Sequence, residues 1–417
     1  MDQSGICAQE LPNGAVLIVE PMLDVQSAAL AMLVPAGSIY EPAGRNSVAA
    51  VLSELIMRGA GDRNSRALNA ALDTLGAQRS ESVGWNFITL SSALLADNLP
   101  AVLKLYADVV LRPHLPASEV EPSVAGIEQE LLSIEDEPQR KALLELRRRC
   151  YDAPWGLPPE GNLDELPEVS HADLQEHYRR CFRPNGTLIA VAGNVDPDAV
   201  SRLVNELFAD WQPQPEPEVV RGPRGPQVDH LPDESAQTQI AIAFPSIPYS
   251  DPDYFAAWAV ANVLGGGSSS RLFTEVRERR GLCYSVYATH NTLLTEGRLL
   301  IYAGTTAERA QETLDVTLAE LRNLADGIGA DELDRCKARA KSSLVMLQES
   351  TSSRSGAIAR DWFHLRRVVT LDEVATLIDA LTVDRLMRYL ERHPLAEPTL
   401  LTMGREPLRC EAFQVKG

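Results

Sequence analysis

Apolar residues follow two different periods along the first half of the chain. Residues 28–34 and 85–95 have the apolar or alternating pattern of strands, and residues 187–192 form another short apolar strand. After the second of these strands, apolar residues recur at helical spacing, beginning with Leu99 and Val102. Strands and helices therefore segregate instead of alternating regularly. This pattern predicts an α+β fold, with helices packed on a mostly antiparallel sheet.

The same pattern returns after about 210 residues, a period that indicates an internal repeat. The segment LAMLVPAGSIYEPAG, from Leu30, aligns with IAIAFPSIPYSDPDY, from Ile240. Residues 298–304 then predict a strand and residues 307–324 a helix, as in the first half. We predict two homologous domains in one chain.

A segment rich in proline and charge separates the two copies. It reads QPQPEPEVVRGPRGPQVDHLPDES from Gln212. Proline removes amide donors and stiffens the backbone, which favours a linker over a helix or a central strand. The predicted organisation is an N-terminal domain at 1–211, a linker at 212–234 and a C-terminal domain at 235–417.

Composition and charge exclude several classes of protein. At 417 residues the chain is too long for one hydrophobic core. Its net charge of -19 disfavours nucleic-acid binding and leaves no basic patch for an anionic membrane. No apolar run is long enough to span a bilayer, so we predict a cytoplasmic protein, or a periplasmic one if a signal peptide was removed. Six well-separated cysteines without a C-x-x-C pair predict free, mostly buried thiols.

One helix carries a metal-site pattern without its ligands. The stretch NSVAAVLSELIMRGAG, from Asn46, resembles the zinc helix of the pitrilysin/insulinase family of metallopeptidases, whose signature is H-x-x-E-H. That chemistry needs two imidazole ligands and a carboxylate that activates water. In register with the signature, this chain has Ala50, Ser53 and Glu54. We predict a degenerate site that binds no metal.

The third ligand position of the family is retained. The segment SVAGIEQELLSIEDEP resembles the family's glutamate-bearing helix and places Glu130 at the ligand position. One carboxylate without its histidines does not hold a catalytic zinc, and the seven histidines offer no replacement. If Glu54 and Glu130 face each other as the family geometry implies, their like charges should raise one pKa.

The second half carries a different motif, VLGGGSSSRLFTEVRERRGLCYSVYA, from Val263. A helix at 270–280, a stop at Gly281 and a strand at 283–290 would place Arg277 and Tyr284 on either side of one tight turn. In the family this R-x6-Y pair binds the substrate backbone and carbonyl. The alternative is that Arg277 only caps its helix and Tyr284 only packs in the core.

The three glycines of this motif have a separate interpretation. Gly265, Gly266 and Gly267 would form a flexible turn where the backbone approaches a bound peptide. A phosphate-binding loop is disfavoured because the G-x-x-x-x-G-K-[ST] pattern is missing.

The family resemblance covers nearly the whole chain. Further matching segments are HYRRCFRPNGTLIAVAGNV from His177 and ESTSSRSGAIAR from Glu349. The resemblance implies two α+β domains that form half of a clamshell around a peptide chamber. It further implies a zinc-less subunit, not catalytic alone, whose partner is a homologue with H-x-x-E-H and the zinc.

Two alternatives stay open at this point. The chain could be a structural core subunit or peptide-binding protein with no role in proteolysis, in which case Arg277 and Tyr284 are relics. A self-sufficient metallopeptidase with another metal site would need ligands that the sequence does not offer.

Overall fold

The computed structural model describes residues 5–410. The strands are β1 (Cys7–Glu10), β2 (Val16–Pro21), β3 (Ser27–Val34), β4 (Gly59–Ala60), β5 (Arg63–Asn64), β6 (Gln78–Val83), β7 (Ile88–Leu95), β8 (Leu188–Gly193), β9 (Val228–Pro232), β10 (Gln237–Ser246), β11 (Cys283–Thr292), β12 (Gly297–Thr306) and β13 (Thr399–Gly404). The α-helices are α1 (Val48–Leu55), α2 (Ser65–Thr74), α3 (Leu99–Leu111), α4 (Val120–Glu135), α5 (Pro138–Cys150), α6 (His171–Cys181), α7 (Pro197–Phe208), α8 (Tyr254–Gly265), α9 (Ala310–Asp326), α10 (Ala330–Gln348), α11 (Thr351–Leu365), α12 (Leu371–Asp379) and α13 (Val383–Arg392).

The first compact unit contains the chain up to Ser133, Ala153–Gly222 and Met346–Thr370. Its six-stranded sheet has the order β1-β2-β8-β3-β7-β6. β3 pairs antiparallel with β7 and β8, whereas β2 and β8 are parallel. Apolar side chains of β2, β3 and β8 pack against α11, including Ile18 of β2 and Ile358 of α11. β8 is buried at all six positions and β3 at six of eight, so both faces of these central strands are covered, which explains their continuous apolar pattern.

The second unit contains Ile134–Asp152, Pro223–Val345 and the chain from Leu371 onward. Its five-stranded sheet has the order β11-β12-β10-β13-β9. The two sheets correspond strand by strand when the second is read from β9 towards β11. In that direction its order is β9-β13-β10-β12-β11, which matches β2-β8-β3-β7-β6 of the first sheet. Even the one parallel pair of each sheet recurs, β2 with β8 and β9 with β13. The predicted α+β fold with two homologous domains is confirmed.

Each unit contains one helix that the linear order of the chain would assign to the other. α5 packs on β10 and β13 of the second sheet, and α11 packs on β3 and β8 of the first. Arg149 of α5 lies 2.6 Å from Asp229 of β9. Arg354 of α11 lies 2.8 Å from Glu20 of β2, the strand equivalent to β9. Equivalent ion pairs thus anchor both helices.

The compact units are therefore discontinuous, whereas the sequence predicts contiguous domains. The chain passes from the first unit to the second at residue 222, inside the predicted 212–234 linker. Within that segment, Gly222 exchanges backbone hydrogen bonds with Ala153, and β9 forms an edge of the second sheet. Proline is tolerated on such an edge strand. The contiguous division stays a prediction about the duplicated segments.

Two further features of residues 5–410 are the hydropathy of the helices and the state of the cysteines. No helix there is both long and apolar enough to cross a membrane. The cysteines form no disulfide within this range, and four of the six thiols are buried.

Candidate functional site

The helix in the zinc-helix position, α1, is held at its start by the carboxyl group of Glu41. Glu41 accepts hydrogen bonds from the Ala49 backbone nitrogen at 2.7 Å and the Asn46 side-chain nitrogen at 2.9 Å. Burial raises the pKa of Glu41 to about 8, although both hydrogen bonds act in the opposite direction. The N-terminal amide of this helix thus binds to a group of the protein itself.

The side chains at the three motif positions are buried or interact with other groups of this chain. Ala50 is buried, and the buried Ser53 hydroxyl donates to the Ala50 carbonyl at 2.8 Å. The Glu54 carboxylate lies 3.5 Å from the Arg58 guanidinium, which is also 3.9 Å from Glu119. A methyl group, an internally bonded hydroxyl and a paired carboxylate do not fit a catalytic zinc, which needs three ligating side chains.

Glu130 lies on the exposed side of α4, where its backbone carbonyl accepts from the Ser133 hydroxyl at 2.7 Å. Within residues 5–410, no group of three or more His, Cys, Asp or Glu side chains could hold a metal ion. The facing arrangement of Glu54 and Glu130 stays a prediction.

Another acid, Glu81 of β6, interacts with Glu54. Burial raises the pKa of Glu81, the Glu54 charge raises it further, and Arg79 lowers it. One Glu81 carboxylate oxygen is buried without a hydrogen-bond partner, and Arg79 reaches it only at 4.0 Å. The sequence carries no signal for Glu81, because an acid in an alternating edge strand has the pattern of a solvent-facing position.

Arg277 lies in a π-helical turn, Phe273–Arg279, which replaces the regular helix expected at 270–280. Its guanidinium carbon lies 4.8 Å from the ring centre of Phe273 and 4.9 Å from that of Tyr284. Both distances are typical of cation–π contacts, which hold the guanidinium plane without using its N–H groups. Single-turn π-helical insertions are rare and occur frequently at functional sites.

Tyr284 lies in a second backbone irregularity, a bulge near the start of β11. Cys283 pairs with Thr305 and Ser285 with Gly304, so Tyr284 has no partner across the sheet. Bulges of this kind redirect a side chain. The Tyr284 side chain is 83% exposed, unlike the core residue of the alternative interpretation. Gly281, with φ +60°, forms the turn between helix and strand.

The structure thus brings Arg277 and Tyr284 together. Within residues 5–410, neither the Arg277 guanidinium nor the Tyr284 hydroxyl makes a hydrogen bond or an ion pair. Phe273 was missed by sequence analysis, although its spacing of four residues from Arg277 places both on one helix face. The arrangement offers a fixed guanidinium fork and an exposed phenol, both free to donate to a ligand oxygen.

The three glycines have contacts inside the second unit. Gly265 is buried at the end of α8, and an added Cβ would clash with the Ala288 backbone nitrogen. At Gly266 and Gly267 an added Cβ would overlap the Arg339 guanidinium. Close packing therefore explains the glycines, while their predicted contact with substrate stays a prediction.

Two family models match the chain. Residues 18–156 match the model described as insulinase (peptidase family M16). Residues 168–340 match the model described as peptidase M16 inactive domain.

Curated relatives match over nearly their full length. An uncharacterized zinc protease of Mycobacterium tuberculosis is 28% identical over 401 residues, which cover 93% of this chain and 90% of the relative. The uncharacterized zinc protease YmxG of Bacillus subtilis is 26% identical over 380 residues, which cover 90% of this chain and 92% of the relative.

Solved structures share the fold. A peptidase M16 inactive domain from Pseudomonas fluorescens superposes with a TM-score of 0.88 at 22% identity, covering 97% of this chain and 99% of that one. A protease from Helicobacter pylori gives 0.86 at 20% identity, covering 96% and 99%. A chain of Complex III2 from Candida albicans gives 0.80 at 19% identity, covering 96% of both chains.

Proposed function

Because the chain belongs to the insulinase (M16) family of peptidases, we propose that it is the non-catalytic subunit of a two-subunit zinc peptidase. In this proposal a homologous partner with H-x-x-E-H carries the zinc. This chain completes the peptide chamber and supplies Arg277 and Tyr284 to the bound substrate. It needs no cofactor of its own.

The observation that carries the proposal is the contrast in hydrogen bonding between the two sites. Ser53 and Glu54 interact with groups of the fold itself. Arg277 and Tyr284 have no hydrogen-bond or ion-pair partner within residues 5–410, although a guanidinium and a phenol are strong donors. Donors without partners on the protein are available to a substrate.

These donors suit a peptide carbonyl. The two aromatic contacts restrict the Arg277 guanidinium before substrate binds, so less conformational entropy is lost on binding. The Tyr284 hydroxyl can donate one hydrogen bond. Positioned donors gain strength as negative charge develops on the carbonyl oxygen, and one such donor contributes roughly 10²–10³-fold to kcat.

The test combines activity with metal analysis. Peptide hydrolysis and zinc content are measured for this chain alone, for its H-x-x-E-H homologue alone and for the mixture. We expect activity only in the mixture and zinc only in the homologue. Zinc and activity in this chain alone would refute the degenerate site, and no gain on mixing would refute the shared one.

A scaffold role is the second candidate, and one observation favours it. The fold also matches a chain of Complex III2, so this architecture occurs within a larger assembly. In that case the chain binds its partner subunits without contributing to hydrolysis. A neighbouring reading frame with H-x-x-E-H favours the peptidase pair, whereas a lone copy favours the scaffold.

A further inference from the structure

A cleft of about 260 Å³ lies in the second unit, between the serines that follow the three glycines and helix α10. Ser268, Ser269 and Ser270 line one side, and Arg335 and Arg339 line the other. None of these residues belongs to the Arg277–Tyr284 site.

Arg339 has an unusual set of neighbours. Its guanidinium donates to the Asn262 side-chain oxygen, and the Asn262 amide nitrogen in turn donates to the Trp258 carbonyl at 2.8 Å. Gly266 and Gly267 leave room for the guanidinium. Its hydrogen-bond partner is a neutral amide, and within residues 5–410 Arg339 pairs with no carboxylate. Arg339 is exposed, so its charge is solvated and is oriented by Asn262, but no carboxylate within the described residues neutralises it.

Ser270 adds a second unpaired group to the cleft. Its side chain is 6% exposed, and its hydroxyl has no hydrogen-bond partner within the described residues. A buried hydroxyl without a partner is unfavourable, because it has lost its hydrogen bonds to water without replacing them. Its backbone nitrogen already donates to the Gly267 carbonyl at 3.0 Å, which fixes the serine at the cleft wall.

The remaining charges in the cleft are largely balanced. Both carboxylate oxygens of Glu332 accept from Arg271 at 2.7 Å, and the Gly329 nitrogen donates to Glu332 at 2.7 Å. Arg335 pairs with Asp331 at 2.8 Å on the exposed rim. Arg339 is thus the source of the unbalanced positive charge, in a chain whose net charge is -19.

We propose that this cleft binds a carboxylate, with Arg339 donating through its guanidinium and Ser270 through its hydroxyl. The planar guanidinium matches a carboxylate, and a single negative charge balances the single unpaired positive charge better than a phosphate dianion does. The site is independent of the proposed pairing with a zinc subunit. The expected ligand is a short peptide with a free C-terminal or side-chain carboxylate, because a group of that size fits a cleft of about 260 Å³.

The test titrates the full chain by calorimetry with N-acetyl-Ala-Ala, with its C-terminal amide and with inorganic phosphate. We expect the free acid to bind about tenfold or more tightly than the amide, because a hydrogen bond to a charged group contributes about 1.5–3 kcal/mol. Arg339→Gln and Ser270→Ala should each weaken binding of the free acid by about tenfold. Arg322→Gln removes an exposed arginine elsewhere on the second unit and should leave binding unchanged.

Ser270→Ala keeps the test decisive if Arg339→Gln disturbs folding, because it removes a hydroxyl that has no internal partner. Equal binding of the acid and the amide would overturn the proposal. So would no binding at millimolar concentration, or unchanged affinity in Ser270→Ala. Binding of phosphate without binding of the free acid would overturn the carboxylate assignment and identify a phosphate site instead.

Discussion

The α1 region and the Arg277–Tyr284 region differ in backbone geometry as well as in residues. α1 is a regular helix, and its Ser53 hydroxyl is bonded within the helix itself. Arg277 lies in a π-helical turn, and Tyr284 lies in a β-bulge. Irregular backbone of this kind costs stability and persists only where surrounding structure imposes it. The regular backbone and internal hydrogen bond of α1 agree with the loss of its zinc ligands, and the irregular backbone around Arg277 and Tyr284 agrees with the substrate-binding role that we propose for this pair.

The largest expected effect comes from removing both donors of the second region. Arg277→Ala combined with Tyr284→Phe should lower kcat/KM of the mixture with the proposed zinc-bearing partner by about 10²-fold or more. The rings that contact the guanidinium stay in place, so the loss reports on donation to substrate. Initial rates on a peptide substrate measure it.

A matched pair of changes on the same two elements provides the control. Arg279 is exposed on the same turn, and Tyr287 of β11 accepts a hydrogen bond from Gln139 at 3.0 Å. Arg279→Ala with Tyr287→Phe should leave kcat/KM within about twofold of the parent. If both double variants lose activity equally, the special role of Arg277 and Tyr284 is refuted.

The next prediction concerns the geometry of the α1 region. We expect that restoring the two histidines does not restore a zinc site. Ala50→His with Glu54→His restores both imidazole positions. Ala50 is buried, so we expect the larger side chain to lower the free energy of unfolding by about 1–3 kcal/mol. Added zinc should not restore the loss. Thermal unfolding with and without zinc measures both effects.

Glu54→His alone serves as the reference, because the Glu54 side chain is half-exposed and the change should cost less than about 0.5 kcal/mol. A zinc-dependent rise of several degrees in Tm for the double variant would show that metal-site geometry persists. The proposed difference between the α1 region, which has lost its metal site, and the Arg277–Tyr284 region would then be wrong.

A smaller effect should come from the turn between Arg277 and Tyr284. Gly281 has φ +60° and open space where a Cβ would stand, so Gly281→Ala imposes backbone strain without a clash. We expect a loss of about 1–2 kcal/mol in the free energy of unfolding. Gly356→Ala, on the exposed side of α11 with equal space, should instead add up to about 1 kcal/mol. Denaturant unfolding of both variants decides whether the left-handed turn is required.

Regular features of the fold could be predicted from the sequence because they depend on periodicity. The apolar strand predicted at 28–34 lies within β3, and the one predicted at 298–304 lies within β12. The repeat predicted the equivalence of the two sheets. The packing of α5 and α11 on sheets from the other half of the chain has no local signal, because it depends on contacts such as Arg354 with Glu20.

The candidate site was predictable in its residues and not in its geometry. The spacing of Arg277 and Tyr284 placed them on either side of one turn. The π-helical turn and the bulge were missed because both follow from how the helix and strand fit their neighbours. For the same reason the sequence carries no signal for the close contact of Gly265 with β11, and the contact of Gly265 with substrate stays a prediction.

The smallest predicted effect concerns Glu81. Burial raises the pKa of this side chain, and the nearby charge of Glu54 raises it further. A carboxylate whose pKa is raised by folding favours the folded state below its unfolded pKa, and this advantage is lost as pH rises through the folded pKa. Glu81→Gln should therefore gain stability relative to the parent as pH rises above about 4, the ordinary range of a glutamate. Urea unfolding at increasing pH measures the change.

Glu128→Gln, which removes an exposed acid on α4, is the matched control over the same pH range. If the gain of Glu81→Gln does not exceed that of the control at any pH, folding does not raise the pKa of Glu81 and the prediction is wrong. If the gain of Glu81→Gln with pH disappears in a Glu54→Gln background, the gain comes from the charge of Glu54. That result would show that the charge of Glu54 raises the pKa of Glu81. Glu54 occupies the position at which the family has its second histidine, so the unfavourable interaction would lie at a zinc-ligand position of the family.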